Sequence, residues 1–378
     1  VMDVMGGFGT TLLSFLLVLT VLVFVHELGH YLVARRNGVR IEVFSIGFGP
    51  ELFGWTDRSG TRWKFSAIPL GGYVKMFGDA DPASTPGAHT QSMSAEEQAV
   101  SFHHKRLGQR AAIVAAGPIA NFLFAIVALT ILFATAGQSF TPPDVGGVQP
   151  GSAAERAGLQ PGDLIVSING SDIQRFEEIR QIVSMQPGAP LEMVVQRDGR
   201  SVNLTATPDV REVTDRLGNT HRIGQLGIMR GGAETKRHDP LTALWQAGRE
   251  VVGMVSGTFV ALGQMIEGSR GTEELGGPLR IAQMSGEVAQ SGWYPLIWFM
   301  TFLSVNLGMI NLFPVPLLDG GHLMFYALEG LRGRPLGPKA QEYGFRIGLA
   351  LVLTLMVFAT WNDLVQLRVV DFFRGLIS

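Results

Sequence analysis

His26, Glu27, Leu28, Gly29 and His30 close an apolar run that starts near Thr11. Residues four apart share a helix face, so the two imidazoles can converge on one metal ion. Glu27 stands beside them, able to take a proton from water that a metal has acidified. Two histidines and a carboxylate in a hydrophobic span are costly unless they perform a task. The spacing therefore points to a zinc peptidase acting at membrane depth. It does not continue as a metzincin, which wants Gly at Val33 and His at Arg36.

A site of this kind needs a third protein ligand and an open fourth position. The chain has no Cys, so His and carboxylates are the available donors. The best candidate is Asp319, in the stretch from Asn311 to His322. Pro314 and Pro316 end regular helix there and let an acidic side chain turn inward. His322 is a weaker ligand candidate, read as a polar neighbour. His103 and His104 are placed at the membrane interface rather than on a metal.

The elements that must carry these groups follow from composition. Of 378 residues, 46% are hydrophobic and only 16% charged, with a formal net charge of −2. That balance gives no reason to expect a nucleic-acid partner. Four runs are apolar and long enough to cross a bilayer, which takes about 20 residues: Thr11–Ala34, Ala111–Ala136, Trp293–Phe313 and Gly344–Trp361. The first is read as a permanent anchor, because no Lys or Arg precedes it. Arg35, Arg36, Arg40, Lys105, Arg106 and Arg110 lie between the first two runs; Arg332, Arg334, Lys339 and Arg346 follow the third. Both connectors are therefore expected in the cytoplasm. The termini and the 137–292 region are expected outside, and His26 and His30 near the inner face.

Leu241–Ile266 carries apolar residues at alternating steps of three and four, the spacing of an amphipathic helix. It is read as lying on the membrane surface or against the bundle. A fifth crossing there would put Asp319 on the opposite face from His26 and His30, so topology and coordination test each other. In the cytoplasmic connector, Val43–Pro50 and Trp63–Lys75 alternate apolar and polar residues between turn signals, as short strands do. Asp79–Ala99 is polar and read as a loop. Gly117-Pro118-Ile119-Ala120-Asn121 puts a proline and an amide inside the second span, where Asn121 needs a hydrogen-bond partner.

The outside region from Val145 to Gly170 resembles a bacterial PDZ domain. A helix over Ala153–Ala157 is expected to stop at Gly158, a strand to cover Leu164–Ile168, and Asn169-Gly170 to end it. Leu191–Gln196 and Ser201–Thr207 read as paired strands after a Pro187-Gly188 turn. Such folds take extended chain ends at a strand–helix groove.

His26–His30 in the first span, the Asn311–Gly320 motif and the inserted PDZ-like segment together resemble the site-2 protease family, and more narrowly the bacterial regulator-of-sigma-E proteases. The resemblance covers nearly the whole chain, with one PDZ-like segment where many enterobacterial relatives carry two. It implies an α-helical polytopic membrane protein with four transmembrane helices, a membrane-associated β-hairpin or sheet and one inserted PDZ-like α+β domain. Its parts are expected at 1–138, 139–232, 233–292 and 293–378. The resemblance further implies one Zn2+ per chain, held by His26, His30 and Asp319, with Glu27 as general base. Asn311 would hold substrate backbone, and Asn121, Gly47 and Gly49 would support the site. Glu273–Pro278 resembles a linker motif of the same family.

The substrates so implied are single-pass membrane proteins, of the anti-sigma-factor or remnant-signal-peptide type, cut after an earlier extracytoplasmic cleavage in the bacterial inner membrane. In related proteases the cytoplasmic sheet offers an edge to which extended substrate adds. Three rival readings remain: a non-catalytic PDZ membrane adaptor, a zinc transporter, and a membrane HExxH peptidase whose third ligand is a glutamate.

Overall fold

Backbone in a bilayer must satisfy its own hydrogen bonds, which makes helix the default for each long apolar run. The computed structural model, which describes residues 2–79, 92–214, 220–232, 234–268 and 276–366, has helices at all four. In chain order the elements are α1 (Met2–Arg36), β1 (Ile41–Thr56), β2 (Arg62–Met76), α2 (Ala95–Val100), α3 (Leu107–Thr135), β3 (Gln138–Phe140), β4 (Val145–Val148), α4 (Ala153–Arg156), β5 (Leu164–Ile168), β6 (Ser171–Asp172), α5 (Phe176–Met185), β7 (Leu191–Arg197) and β8 (Arg200–Ala206). Then follow β9 (Asp209–Thr214), β10 (Thr220–Gln225), β11 (Ile228–Arg230), β12 (Glu234–Lys236), α6 (Pro240–Ile266), α7 (Pro278–Gln290), α8 (Trp293–Leu312), α9 (Asp319–Arg332) and α10 (Pro338–Gln366).

Among the described residues, four helices are long and apolar enough to cross a membrane: Gly9–Arg36, Leu107–Thr135, Trp293–Leu312 and Lys339–Val365. α6 is not one of them. It leans on α8 instead, where Thr258 Oγ1 donates to Asn306 Oδ1 at 3.3 Å. The chain divides into two compact units, Val1–Thr130 with Leu244–Thr258 and Glu273–Ser378, and Ile131–Ala243 with Phe259–Thr272.

In the first unit, β1 and β2 form an antiparallel sheet bent back on itself. Ile41–Ile46 pairs with Met76–Gly72 on one side, while Arg62–Phe65 pairs both with Val43–Ile46 and with Thr56–Phe53. That order leaves Gly72–Met76 at one edge. Phe44 stacks on Trp63 with ring centroids 4.3 Å apart, and Trp63 on Trp55 at 6.0 Å. Tyr31 of α1 meets the same stack edge-on, so helix and sheet share one core. Asp57 ties the far turn, accepting from Trp63 Nε1 at 3.0 Å and Thr61 N at 3.0 Å. Beyond the core, Leu52, Phe53, Trp55, Phe65 and Ile68 are exposed, an apolar patch suited to lipid.

Three features of this unit depart from the sequence reading. Part of the 79–99 loop is helix α2, because Ser94 and Glu97 form a capping box; residues 80–91 lie outside the described residues. α7 and α9 were not expected as helices, being short and embedded in polar connectors. Asp363, buried in α10, holds the start of α7 by accepting from the amides of Gly277 (2.8 Å), Leu279 (3.0 Å) and Arg280 (3.1 Å). This gives Gly277-Pro278 a physical role, with Pro278 at the first helical turn; Glu273, Glu274 and Leu275 of that motif lie outside the described residues.

The second unit is α+β. A four-stranded antiparallel sheet in the order β6-β5-β7-β8 is joined by the pairs β4–β11, β9–β10 and β3–β12. Its core holds Val145, Ile165, Ile179, Leu191, Met193 and Val195. The expected strands at 164–168, 191–196 and 201–207 and the Ser152-capped helix at 153 are present within a residue or two. Asn169-Gly170 and Asp198-Gly199 turn with positive φ (51° and 76°; 49° and 77°), the geometry of tight hairpins. Helix α5 was not expected; its Ile179 and Val183 face a groove of about 460 Å3 shared with Leu226 and Ile228.

Candidate active site

α1 carries His26 and His30 one turn apart, and both are buried with 9% of their surface exposed. α3 crosses them closely. At Gly117 the two rings fill the space where a side chain would begin, so only glycine fits. The Ile113 carbonyl of α3 accepts from His30 Nδ1 at 2.9 Å, which leaves Nε2 with its lone pair free. Asn121, one turn beyond Gly117, lies with its Nδ2 3.1 Å from His26 Nδ1, and its Oδ1 is buried without a partner among the described residues.

The carboxylate arrives from the other half of the chain. α8 ends at Leu312, and Pro314 and Pro316 carry the chain through a non-helical turn. Leu317 there has φ 101°, a conformation that side chains rarely adopt. Asp319 opens α9 immediately afterwards. Gly320 follows because a Cβ would lie 2.2 Å from the Phe313 carbonyl oxygen. The turn is wound tightly enough to aim Asp319 back at α1.

Asp319 Oδ2 lies 3.2 Å from His26 Nε2 and 3.5 Å from His30 Nε2, and the two Nε2 atoms are 3.3 Å apart. Oδ2 is buried, yet makes no well-formed hydrogen bond despite these short distances. Three lone-pair atoms facing one another want a cation between them. Ligand atoms on a tetrahedral zinc with bonds of about 2.0–2.1 Å stand about 3.3 Å apart. The three donors fit that ion, and they are the group among the described residues placed to hold a metal.

Glu27 is half-buried on the wall of a cavity of about 180 Å3 that also reaches His26, His30 and Asp319. Asn311, Leu317 and His322 line it, as do Gly72, Tyr73, Val74 and Met76 from the sheet edge. His322 thus joins the cavity but not the ligand cluster; burial pushes its imidazole below the usual value, against the pull of Asp319 and Asp79. Gly47 and Gly49 do not line the cavity. They bend β1 with φ of 89° and 87°. His103 pairs with Asp79 at 3.0 Å and His104 with Ser101 at 3.2 Å, away from the cluster. The Ile113 carbonyl and Leu317 were missed as contributors to the site. The Gly117-Pro118 pair signalled close packing, but not that the packed groups would be the two imidazoles.

Residues 14–355 match the model of Peptidase family M50. The chain belongs to that family. The matched span contains every member of the cluster, so the site-2 protease resemblance holds. A Rhizobium meliloti (strain 1021) relative with zinc metalloprotease in its name is 50% identical over 359 residues, covering 94% of this chain and 96% of its own. Metalloprotease MmpA of Caulobacter vibrioides is 39% identical over 398 residues, covering 99% and 100%. Protease RseP of Yersinia pestis is 34% identical over 458 residues, covering 94% and 99%. This M50 chain is a zinc metalloprotease, with four helices among the described residues long and apolar enough to span a membrane.

Proposed function

We propose that the chain hydrolyses a peptide bond in or beside the transmembrane segment of single-pass membrane proteins, after a first cut has removed their outer portion. The observation that carries this reading is the meeting of His26, His30 and Asp319 at the cavity walled by Glu27. One zinc per chain is held by these three side chains. Zinc, when bound, acidifies water and polarises the scissile carbonyl.

Glu27 takes the proton from the attacking water and later delivers it to the leaving amine. Asn311, on the same wall, donates its amide to substrate backbone. A helical substrate hides its carbonyls in internal hydrogen bonds and must unwind before attack. The Gly72–Met76 edge bordering the cavity gives the unwound segment a strand to pair with. The exposed Leu52, Phe53 and Trp55 keep that sheet in contact with lipid.

The parts of this reading are an N-terminal membrane half at 1–138, an extracytoplasmic PDZ-like domain at 139–232, a helix and linker at 233–292 and a C-terminal membrane half at 293–378. The chain resides in a bacterial inner membrane with both termini and the PDZ-like domain outside and the cavity near the cytoplasmic face, as the Lys and Arg distribution supports. The α5–β11 groove of the PDZ-like domain receives a peptide or chain end.

The test follows a tagged single-span protein, supplied already trimmed on its outer side, in cells carrying the chain or its Glu27→Gln variant. Cleavage is expected to stop in the variant while purified protein keeps one zinc per chain. Unchanged cleavage would discard the mechanism, and full zinc in Asp319→Ala would discard the ligand set.

A further inference from the structure

This inference rests on the assignment of His26, His30 and Asp319 to the metal. A histidine that ligates through Nε2 must carry its proton on Nδ1, and a neighbour must accept that proton. For His30 the acceptor is main chain, the Ile113 carbonyl at 2.9 Å, which can only accept and so fixes the tautomer. His26 faces a group that can do either: the Asn121 side-chain amide, 3.1 Å from Nδ1.

Asn121 is fully buried, and its backbone carbonyl accepts from Ser304 Oγ of α8 at 3.0 Å, so the residue is held between two helices. With Nδ2 turned to the ring, the amide donates to Nδ1. The His26 proton is then forced onto Nε2, where it points into the ligand cluster and removes the lone pair a metal needs. Oδ1 is meanwhile left buried without a partner. A half-turn about Cβ–Cγ exchanges the two amide atoms in place. One amide atom stays unpartnered in either orientation, so the requirement of the ring decides between them.

We propose that Asn121 is a positioning residue for the metal site, its Oδ1 accepting a hydrogen bond from His26 Nδ1–H and thereby presenting His26 Nε2 as a lone-pair donor. The two imidazoles are thus oriented from one helix, α3, by a main-chain carbonyl and by a side-chain amide two turns further along. Ser304 extends the support to α8, the helix that precedes Asp319.

The hydrogen-bond direction makes the test sharp, because a carboxylate has the amide's shape but can only accept. Purified full-length protein in detergent is titrated with zinc against a chromophoric chelator for the unaltered chain and for Asn121→Asp, Asn121→Leu and His26→Ala. Asn121→Leu is expected to bind zinc about 10–100-fold more weakly, the usual cost of losing such a partner. Asn121→Asp is expected to bind at least as tightly as the unaltered chain. If Asn121→Asp is weakened tenfold or more, two acceptors face each other, the amide donates to the ring, and the proposal is overturned; unchanged affinity in Asn121→Leu overturns it as well. Should Asn121→Leu fail to fold, the Asn121→Asp comparison still decides. Undiminished zinc binding by His26→Ala would instead show that the ligand assignment, not the role of Asn121, is at fault.

Discussion

A methyl group placed on Gly117 would lie 2.3 Å from His30 Nε2 and 2.9 Å from His26 Cε1. Helix α3 therefore sets the positions of both imidazoles by contact, with no slack. Gly117→Ala is expected to push the rings apart, costing about 1–3 kcal/mol as overpacking does. Zinc content per purified chain should fall together with protease activity. Full zinc occupancy in this variant would show that the rings have room to yield.

Zinc removal should destabilise the first unit. Held by His26, His30 and Asp319 as proposed, the metal would bind an arrangement that exists only when α1 and the start of α9 are together, and so would add stability by mass action. The gain is about 2.7 kcal/mol at a free zinc concentration one hundred times the Kd. Thermal unfolding in detergent after chelation should show a lower Tm that returns with added zinc. In Asp319→Ala the chelator should have little effect, because the proposed ligand set would lack its carboxylate.

Asp363 supports three amides at the start of α7 from within α10. Asp363→Asn keeps the shape but turns one acceptor oxygen into a donor facing an N–H. A loss of about 1–3 kcal/mol is expected, the usual penalty for a buried group left unsatisfied. Denaturation midpoints would check this, with protease cleavage near Gly277 as a local readout. A midpoint equal to that of the unaltered chain would mean that α7 is held elsewhere.

Asp163 is expected to make the second, α+β unit acid-sensitive. The Arg197 side chain donates to it twice, at 2.7 Å each, and holds its carboxyl below the usual range; the Gln160 amide adds a third bond at 2.9 Å. The folded state therefore takes up this proton at lower pH than the unfolded chain, whose Asp titrates near about 3.9. The stabilisation is complete above that value and fades as pH falls through it toward the lowered folded value. Asp163→Asn should flatten the acid limb of the unfolding curve between about pH 5 and 2. An unchanged slope would assign the acid sensitivity to other carboxylates.

Much of this was legible from pattern. The His26–His30 spacing and the apolar runs are local signals, and the Asn311–His322 stretch announced both a break in helix and an acid at its end. The expectation that Leu241–Ile266 does not cross agrees with α6 being absent from the helices long and apolar enough to do so, and with Asp319 reaching His26. Less legible was everything set by tertiary contact. Gly117 reads as a packing glycine until the rings that fill its space are known. Gly47 and Gly49 bend a strand and do not line the cavity, which no local signal announced. α9 hid in a charged connector, because its sequence carries no long apolar run although its first residue supplies the carboxylate. Asp363 gave no sign in sequence that its partner would be the amides of Gly277, Leu279 and Arg280.

Joining His26 and His30 to Asp319 also has a mechanical result. An ion held by these three side chains would staple α1 to the start of α9, across the whole stretch of chain that lies between them. A break in that intervening stretch would leave the two halves fastened at the place where chemistry occurs. Stripping the ion from such a nicked molecule would remove a clasp as well as a catalyst.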